Sequence, residues 1–123
     1  MIGRMPFNKL LKLRVTRLYH DGLTMELEVT PEVKNMLGTL HGGATATLID
    51  AAAGVAIIGH FGGERPAATV EMKVNYLRPV TGGKVRARSR FIRMGKTLAV
   101  CGCDVKDAHG HLIATALLTY MLL

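Results

Sequence analysis

Gly38-Thr39-Leu40-His41-Gly42-Gly43-Ala44-Thr45-Ala46-Thr47-Leu48-Ile49-Asp50-Ala51-Ala52-Ala53-Gly54-Val55-Ala56-Ile57-Ile58 is the stretch around which the chain is organised. It opens as a polar, glycine-rich elbow and becomes a long apolar segment. Between Ala44 and Ile58 it is rich in Ala, free of Pro and carries one charge, Asp50. That composition predicts a helix over Ala44–Ile58. Apolar residues run nearly all the way round it, so the helix is expected to be buried rather than half-exposed. A buried carboxylate needs a partner or its pKa rises, which makes Asp50 the first candidate functional residue.

The elbow supplies the second candidate. His41-Gly42-Gly43 opens the helix, where free N–H groups and the positive end of the helix dipole favour an anion or a developing oxyanion. Glycine also lets a substrate carbonyl come close to the backbone. The plainer reading is that the glycines only allow the turn into the helix. For His41 the plainer reading is a capping or packing role, and for Asp50 a carboxylate tied to a neighbouring hydroxyl such as Thr47. His41 and Asp50 are nine residues apart. On one helix that is about 13 Å along the axis and half a turn round, so the two side chains do not meet. If both serve one site, they come from two subunits.

Upstream, Pro6–Leu11 reads as a short helical turn. Lys12–Tyr19 and Leu23–Thr30 read as two strands joined at His20-Asp21-Gly22, since Asp-Gly favours hairpin geometry. In the second strand Leu23, Met25, Leu27 and Val29 alternate with Thr24, Glu26, Glu28 and Thr30. Glu32–Leu40 is a loop leading to the helix. Downstream come four more strand patterns, Ala67–Leu77, Lys84–Met94, Thr97–Lys106 and His111–Leu122. In the first of these Val70, Met72, Val74 and Tyr76 share a face, and in the second Arg86, Arg88 and Arg90 do. The predicted class is α+β, with a meandering antiparallel sheet of about six strands wrapped round one long helix. Such a sheet has open edges and leaves the helix ends uncovered, so a dimer that continues the sheet is expected.

At 123 residues the chain has room for one domain, spanning 1–123, with a real core. The formal net charge of +7 points to an anionic partner. The basic residues are scattered, there is no Trp, and no nucleic-acid-binding motif occurs, so nucleic acid is not the expected partner. Met1–Val15 is basic and broken by polar residues, without the apolar core of a signal peptide. Ala44–Ile58 reads as too short and too polar, at Thr45, Thr47 and Asp50, to span a bilayer. The expected compartment is therefore the cytoplasm. Cys101 and Cys103, two apart in a predicted strand, point the same way and read as reduced core thiols rather than a disulfide. No spacing of His, Cys, Asp and Glu suggests a metal site, and no cofactor is implied.

Several blocks together resemble the hotdog-fold acyl-CoA thioesterases, most closely the branch of PaaI and thioesterase superfamily member 2. They are Asn35-x-x-Gly38-Thr39-Leu40-His41-Gly42-Gly43, with Asp50 seven residues after the second glycine, and Pro6-Phe7-Asn8-Lys9-Leu10-Leu11 near the start. Thr69-Val70-Glu71-Met72-Lys73-Val74-Asn75-Tyr76-Leu77-Arg78-Pro79 and Gly95-Lys96-Thr97-Leu98-Ala99 complete the likeness, which covers almost the whole chain in order. The resemblance implies a helix wrapped by a sheet, paired into homodimers and often dimers of dimers. It also implies hydrolysis of an acyl-CoA thioester at the subunit interface.

By that resemblance Asp50 is the general base or nucleophile, and Gly42 offers the N–H that polarises the thioester carbonyl. Asn35 and His41 hold the carbonyl or the leaving thiolate. Thr69 stands at a Ser/Thr position that places the attacking water. Glu71 stands where close relatives often have aspartate and receives no catalytic role. Gly43 belongs with the substrate-binding elbow, and Arg78, Arg93 and Lys96 lie at strand ends where they could meet the phosphates of coenzyme A. The chemistry suits these residue types, because thioester hydrolysis needs a base or nucleophile and preorganised donors for the carbonyl oxygen. Two other functions fit the same fold. One is a non-catalytic acyl-CoA or acyl-carrier-protein binding module, against which an intact Asp50 argues. The other is a dehydratase or hydratase, whose polar dyads are not evident. The acyl group itself, aromatic or fatty, is not legible.

Overall fold

Alternation sets the sheet. On the strand Lys84–Met94, Val85, Ala87 and Ser89 are buried while Arg86 and Arg90 stand in solvent and Arg88 is half-buried, as a strand with one covered face requires. The computed structural model describes residues 5–123; Met1–Arg4, the head of the basic start, lie outside the described residues. In chain order the elements are α1 (Pro6–Leu10), β1 (Arg14–Tyr19), β2 (Gly22–Glu28), α2 (Gly42–His60), β3 (Ala67–Tyr76), β4 (Lys84–Met94), β5 (Leu98–Lys106) and β6 (Leu112–Leu122). A single 3-10 turn, Pro31–Val33, interrupts the loop before α2. The expected α+β architecture of six antiparallel strands and one long helix is what forms.

The sheet order is β1-β2-β4-β5-β6-β3, which corrects the simple meander. β3 does not pair with β2; it joins the far edge beside β6 and leaves β2 to pair with β4. α2, 19 residues and about 28 Å long, starts against the end of β3, where Gly42 meets Tyr76, and its last turns line a cavity with Leu13, Val15 and Leu18 on the β1 side. The loop 61–66 then returns the chain to the far edge, where the Pro66 carbonyl accepts the Leu123 N–H beside β6. Alternation within Ala67–Leu77 fixes which residues share a face but says nothing about which strand is the neighbour.

Smaller departures have local causes. Lys12 has φ +58, so β1 starts only at Arg14. The break in alternation at Arg17 is a bulge between Val15 and Arg17. Three more register shifts follow: after Thr69 in β3, after Phe91 in β4, and at Val105–Lys106 where β5 pairs with β6.

α2 is longer than the sequence pattern indicated, running from Gly42 to His60. At that length it meets the size and composition of a membrane-crossing helix, but the core helix of a sheet protein meets them too, and Leu48, Ile49, Ala52, Ala53 and Ile57 are fully buried here. The covering is incomplete. Ala46, Thr47, Asp50, Gly54 and Ile58 are only half-buried and recur every three or four residues, forming one open stripe. Asp50 is therefore half-buried, a correction to the all-round burial expected of it. Cys101 and Cys103 are free thiols on the inner face of β5, and burial pushes both up to about 12.

Candidate active site

Two clusters of polar groups meet α2, one at its start and one at its middle. At the start, backbone bonds from Leu40 N–H to Val80 C=O (2.7 Å) and from His41 N–H to Val33 C=O (2.8 Å) anchor the elbow. His41 is the N-cap; its Nδ1 accepts the Gly43 N–H at 2.8 Å. With Nδ1 accepting, the neutral ring carries its proton on Nε2, so His41 presents an N–H donor away from the helix. The Gly43 N–H is thereby engaged within the elbow, whereas the Gly42 N–H takes no acceptor among the described residues. The Tyr76 hydroxyl donates to the Gly42 carbonyl at 2.9 Å, tying the end of β3 to the first turn of α2. Around this point lies a cavity of about 340 Å³ lined by Leu40, Gly42, Thr45, Tyr76 and Arg78, among others.

Asn35 builds the loop beneath. Its Oδ1 accepts the N–H groups of Leu37 (2.9 Å) and Thr39 (3.2 Å), and its Nδ2 donates to the Thr39 hydroxyl at 2.9 Å. This Asx-type turn is closed by Gly38 at φ +79, a left-handed conformation that glycine adopts without strain. The second Nδ2 hydrogen has no acceptor among the described residues.

At the middle of α2, Asp50 faces the inner side of β3 and β6. The Thr69 hydroxyl donates to Asp50 Oδ1 at 2.8 Å. The buried Tyr120 hydroxyl donates to the same Oδ1 and lies 2.6 Å from the Asp50 backbone carbonyl. Burial first, and then the hydrogen bond to Asp50 and its charge, push the Tyr120 hydroxyl well above its usual range, so it remains a donor. Among the described residues Oδ2 has no such partner. Thr47, the neighbour that could have satisfied Asp50, donates instead to the Gly43 carbonyl at 2.8 Å. The result is a carboxylate held by two neutral hydroxyls on one oxygen, open on the other, on the uncovered stripe of a helix.

Residues 37–114 match the thioesterase superfamily. The chain belongs to that superfamily. Among relatives of this thioesterase chain, mouse acyl-coenzyme A thioesterase 13 is 33% identical over 111 residues, covering 88% of this chain and 79% of the relative. The Escherichia coli medium/long-chain acyl-CoA thioesterase YigI is 28% identical over 139 residues, covering 98% and 88% respectively. A conserved protein of Pseudomonas aeruginosa superposes with a TM-score of 0.90 at 29% identity, covering 95% of this chain and 93% of that one. The hotdog fold and an enzymatic reaction, thioester hydrolysis, follow from this membership.

Within one chain the thioesterase fold brings some of the expected residues together and keeps others apart. Asp50 and Thr69 touch, while Asn35, His41, Gly42, Gly43 and Arg78 gather at the other cluster. Eight residues of helix, about 12 Å, separate Gly42 from Asp50. Arg93 and Lys96 sit at the end of the sheet where β3 begins, and Arg78 lies past the end where β3 stops. Three residues at these clusters went unread in the sequence: Tyr120, Tyr76 and Gly54. Only Tyr120 left a trace, as a large polar residue in a strand otherwise apolar on its inner face.

Proposed function

We propose that this thioesterase hydrolyses acyl-CoA thioesters at sites shared between two copies of the chain. The arrangement that carries the reading is the Asp50 carboxylate, aligned by Thr69 and Tyr120 with Oδ2 open. The reacting carbonyl lies with its oxygen on the Gly42 N–H, flanked by the Nε2–H of His41 and the spare N–H of Asn35. Asp50 Oδ2 either attacks the carbonyl carbon or takes a proton from the water that does. Negative charge that grows on the oxygen is met by the Gly42 N–H, and a single such donor is typically worth about 3–4 kcal/mol of barrier. The C–S bond then breaks and coenzyme A leaves as the thiolate. Where water attacked, the free acid is already formed. Where Asp50 attacked, water then hydrolyses the acyl–Asp50 mixed anhydride to the free acid and restores the carboxylate.

β3 acts as the ruler for the second copy. Its start carries Thr69 against Asp50, and its end carries Tyr76 against Gly42. β3 is an open sheet edge with Val70 and Tyr76 more than half exposed. Antiparallel pairing of two such edges about a two-fold axis lays the start of one β3 beside the end of the other. That brings Asp50 of one protomer to the Gly42 elbow of its partner, and unites Arg93 and Lys96 with Arg78 around the coenzyme A phosphates. The further step to a dimer of dimers is part of the same reading. So is a cytoplasmic location, which two reduced, buried thiols support. The names of the relatives favour fatty over aromatic acyl groups.

Release of free coenzyme A thiol from a panel of fatty- and aryl-CoA esters tests the reaction, with wild type and Asp50→Asn side by side. Turnover by wild type and its loss in a folded Asp50→Asn protein are expected. Binding without turnover by wild type would replace the enzyme with a binding module. Mixing Asp50→Asn chains with Gly42→Pro chains tests the shared site. Hybrid dimers regain one intact site, so about a quarter of wild-type activity should return for a statistical mixture. No recovery, despite demonstrated exchange of chains, would place each site within one chain.

A further inference from the structure

We infer that Tyr120 is a positioning residue of the active site, which fixes the Asp50 carboxylate so that Oδ2 is the reacting oxygen, and that Gly54 exists to admit it. The inference rests on the thioesterase reading above and adds two residues to it. Tyr120 lies on β6, paired across to Thr69 on β3, so the two hydroxyls reach Asp50 from adjacent strands. Its one O–H is shared between two oxygens of the same residue, the backbone carbonyl of Asp50 and its Oδ1. A donor that bridges main chain and side chain of one aspartate restricts the rotation of that side chain. Thr69 arrives at the same Oδ1. Two donors on one oxygen leave the opposite lone pairs of the carboxylate as the free face.

Gly54 is the complementary half of the device. In a helix rich in alanine, glycine at this position weakens the helix unless space demands it. A Cβ at Gly54 would stand 3.3 Å from the Tyr120 hydroxyl oxygen and 3.5 Å from its ring. Gly54 is one turn beyond Asp50, so the tyrosine tip rests on the helix beside the carboxylate it holds. A methyl group there would push the hydroxyl by a few tenths of an ångström without touching the reacting groups. The Tyr120 hydroxyl, desolvated by burial and facing a carboxylate, also resists ionisation.

Tyr120→Phe and Gly54→Ala test this, each assayed for kcat and KM on the best acyl-CoA substrate together with thermal melting and assembly state. For Tyr120→Phe a tenfold or larger fall in kcat is expected, with KM within about twofold of wild type. Gly54→Ala is expected to lower kcat severalfold while its Tm stays equal or rises, because alanine favours the helix. Wild-type kcat in both variants would overturn the proposal. So would a loss that merely tracks Tm. A readout independent of turnover is the alkaline titration of tyrosine absorbance in wild type and Asp50→Asn. Removal of the carboxylate charge should let one tyrosine ionise at lower pH. If wild type turns over no acyl-CoA, the functional reading fails, and the titration alone decides the tyrosine–aspartate link. Identical titration curves would remove it.

Discussion

Asp50, half-buried, and Glu26, buried, are carboxylates partnered in opposite ways. Asp50, on the inner side of the sheet, meets two neutral hydroxyls, both on Oδ1. Glu26, 5% exposed on β2, meets three cations. Arg14 and Lys84 approach Oε1 at 3.0 and 3.4 Å, and Arg86 approaches Oε2 at 2.9 Å. Burial alone would raise Glu26, but the bonds from Arg86, Lys84 and Arg14 outweigh it and hold the carboxyl below its usual range. Both of its oxygens are occupied and its charge is more than cancelled. Hydroxyls orient a carboxylate without neutralising it, whereas cations neutralise it and leave no face free. One arrangement keeps the group available for chemistry and the other uses it as a tie between β1, β2 and β4.

Substitution at Asp50 should separate the two roles most sharply. Asp50→Asn keeps the shape and the acceptor for Thr69 and Tyr120 but removes the base or nucleophile. A fall in kcat of roughly a hundredfold or more is expected, with Tm within a few degrees of wild type, measured by thiol release and calorimetry. A large drop in Tm with activity preserved would reverse the assignment of roles. Thr69→Ala removes only one of the two donors on Oδ1. It should lower kcat about tenfold or less and leave KM nearly unchanged. If Thr69→Ala equals Asp50→Asn in severity, Thr69 handles the attacking water itself rather than sharing the alignment of Asp50.

The contrast between the two carboxylates also marks what is legible in the sequence. Asp50 stands out as the one charge in a long apolar run, and the glycine elbow announces the start of its helix. Glu26 does not, because strict alternation puts it among ordinary outward residues; only the pairing of β2 with β4 brings Arg86 and Lys84 beside it. The same limit applies to Arg88 and Arg90. Alternation puts them on one face of β4 with Arg86, and across the sheet they find Asp21 at 2.7 Å and Asp104 at 3.4 Å. Alternation encodes faces, and neighbours on a sheet come from topology. Tyr120 was hidden for that reason: 70 residues separate it from Asp50, and only the placement of β6 under the helix joins them.

Ser89 measures how much a tie without charge can hold. Fully buried on β4, it donates to the Ala52 carbonyl of α2 at 2.8 Å and accepts the Leu23 N–H at 3.2 Å. Ser89→Ala leaves these buried groups without their partner, and a loss of about 1–3 kcal/mol in chemical denaturation is expected. The substitution sits behind the helix turn that carries Asp50, so little change in kcat should accompany it.

Glu26→Gln is the mildest change and tests the structural carboxylate itself. Three cations would then crowd a neutral amide, but the side chains of Arg14, Lys84 and Arg86 are 69%, 48% and 60% exposed, so water screens much of the effect. A loss of about 1–2 kcal/mol at neutral pH is expected, with kcat unchanged. Its pH dependence is fixed in sign. A carboxyl held lower in the folded state than its ordinary 4.5 contributes stability that is complete above that value. The contribution drains away as pH falls through the lowered folded value, because the protonated acid no longer attracts the three cations. The stability gap between wild type and Glu26→Gln should therefore be widest near neutrality and close progressively below pH 4.5. A gap that stays constant into acid would mean that Glu26 acts through packing or neutral hydrogen bonds, and its contrast with Asp50 would then not be one of charge.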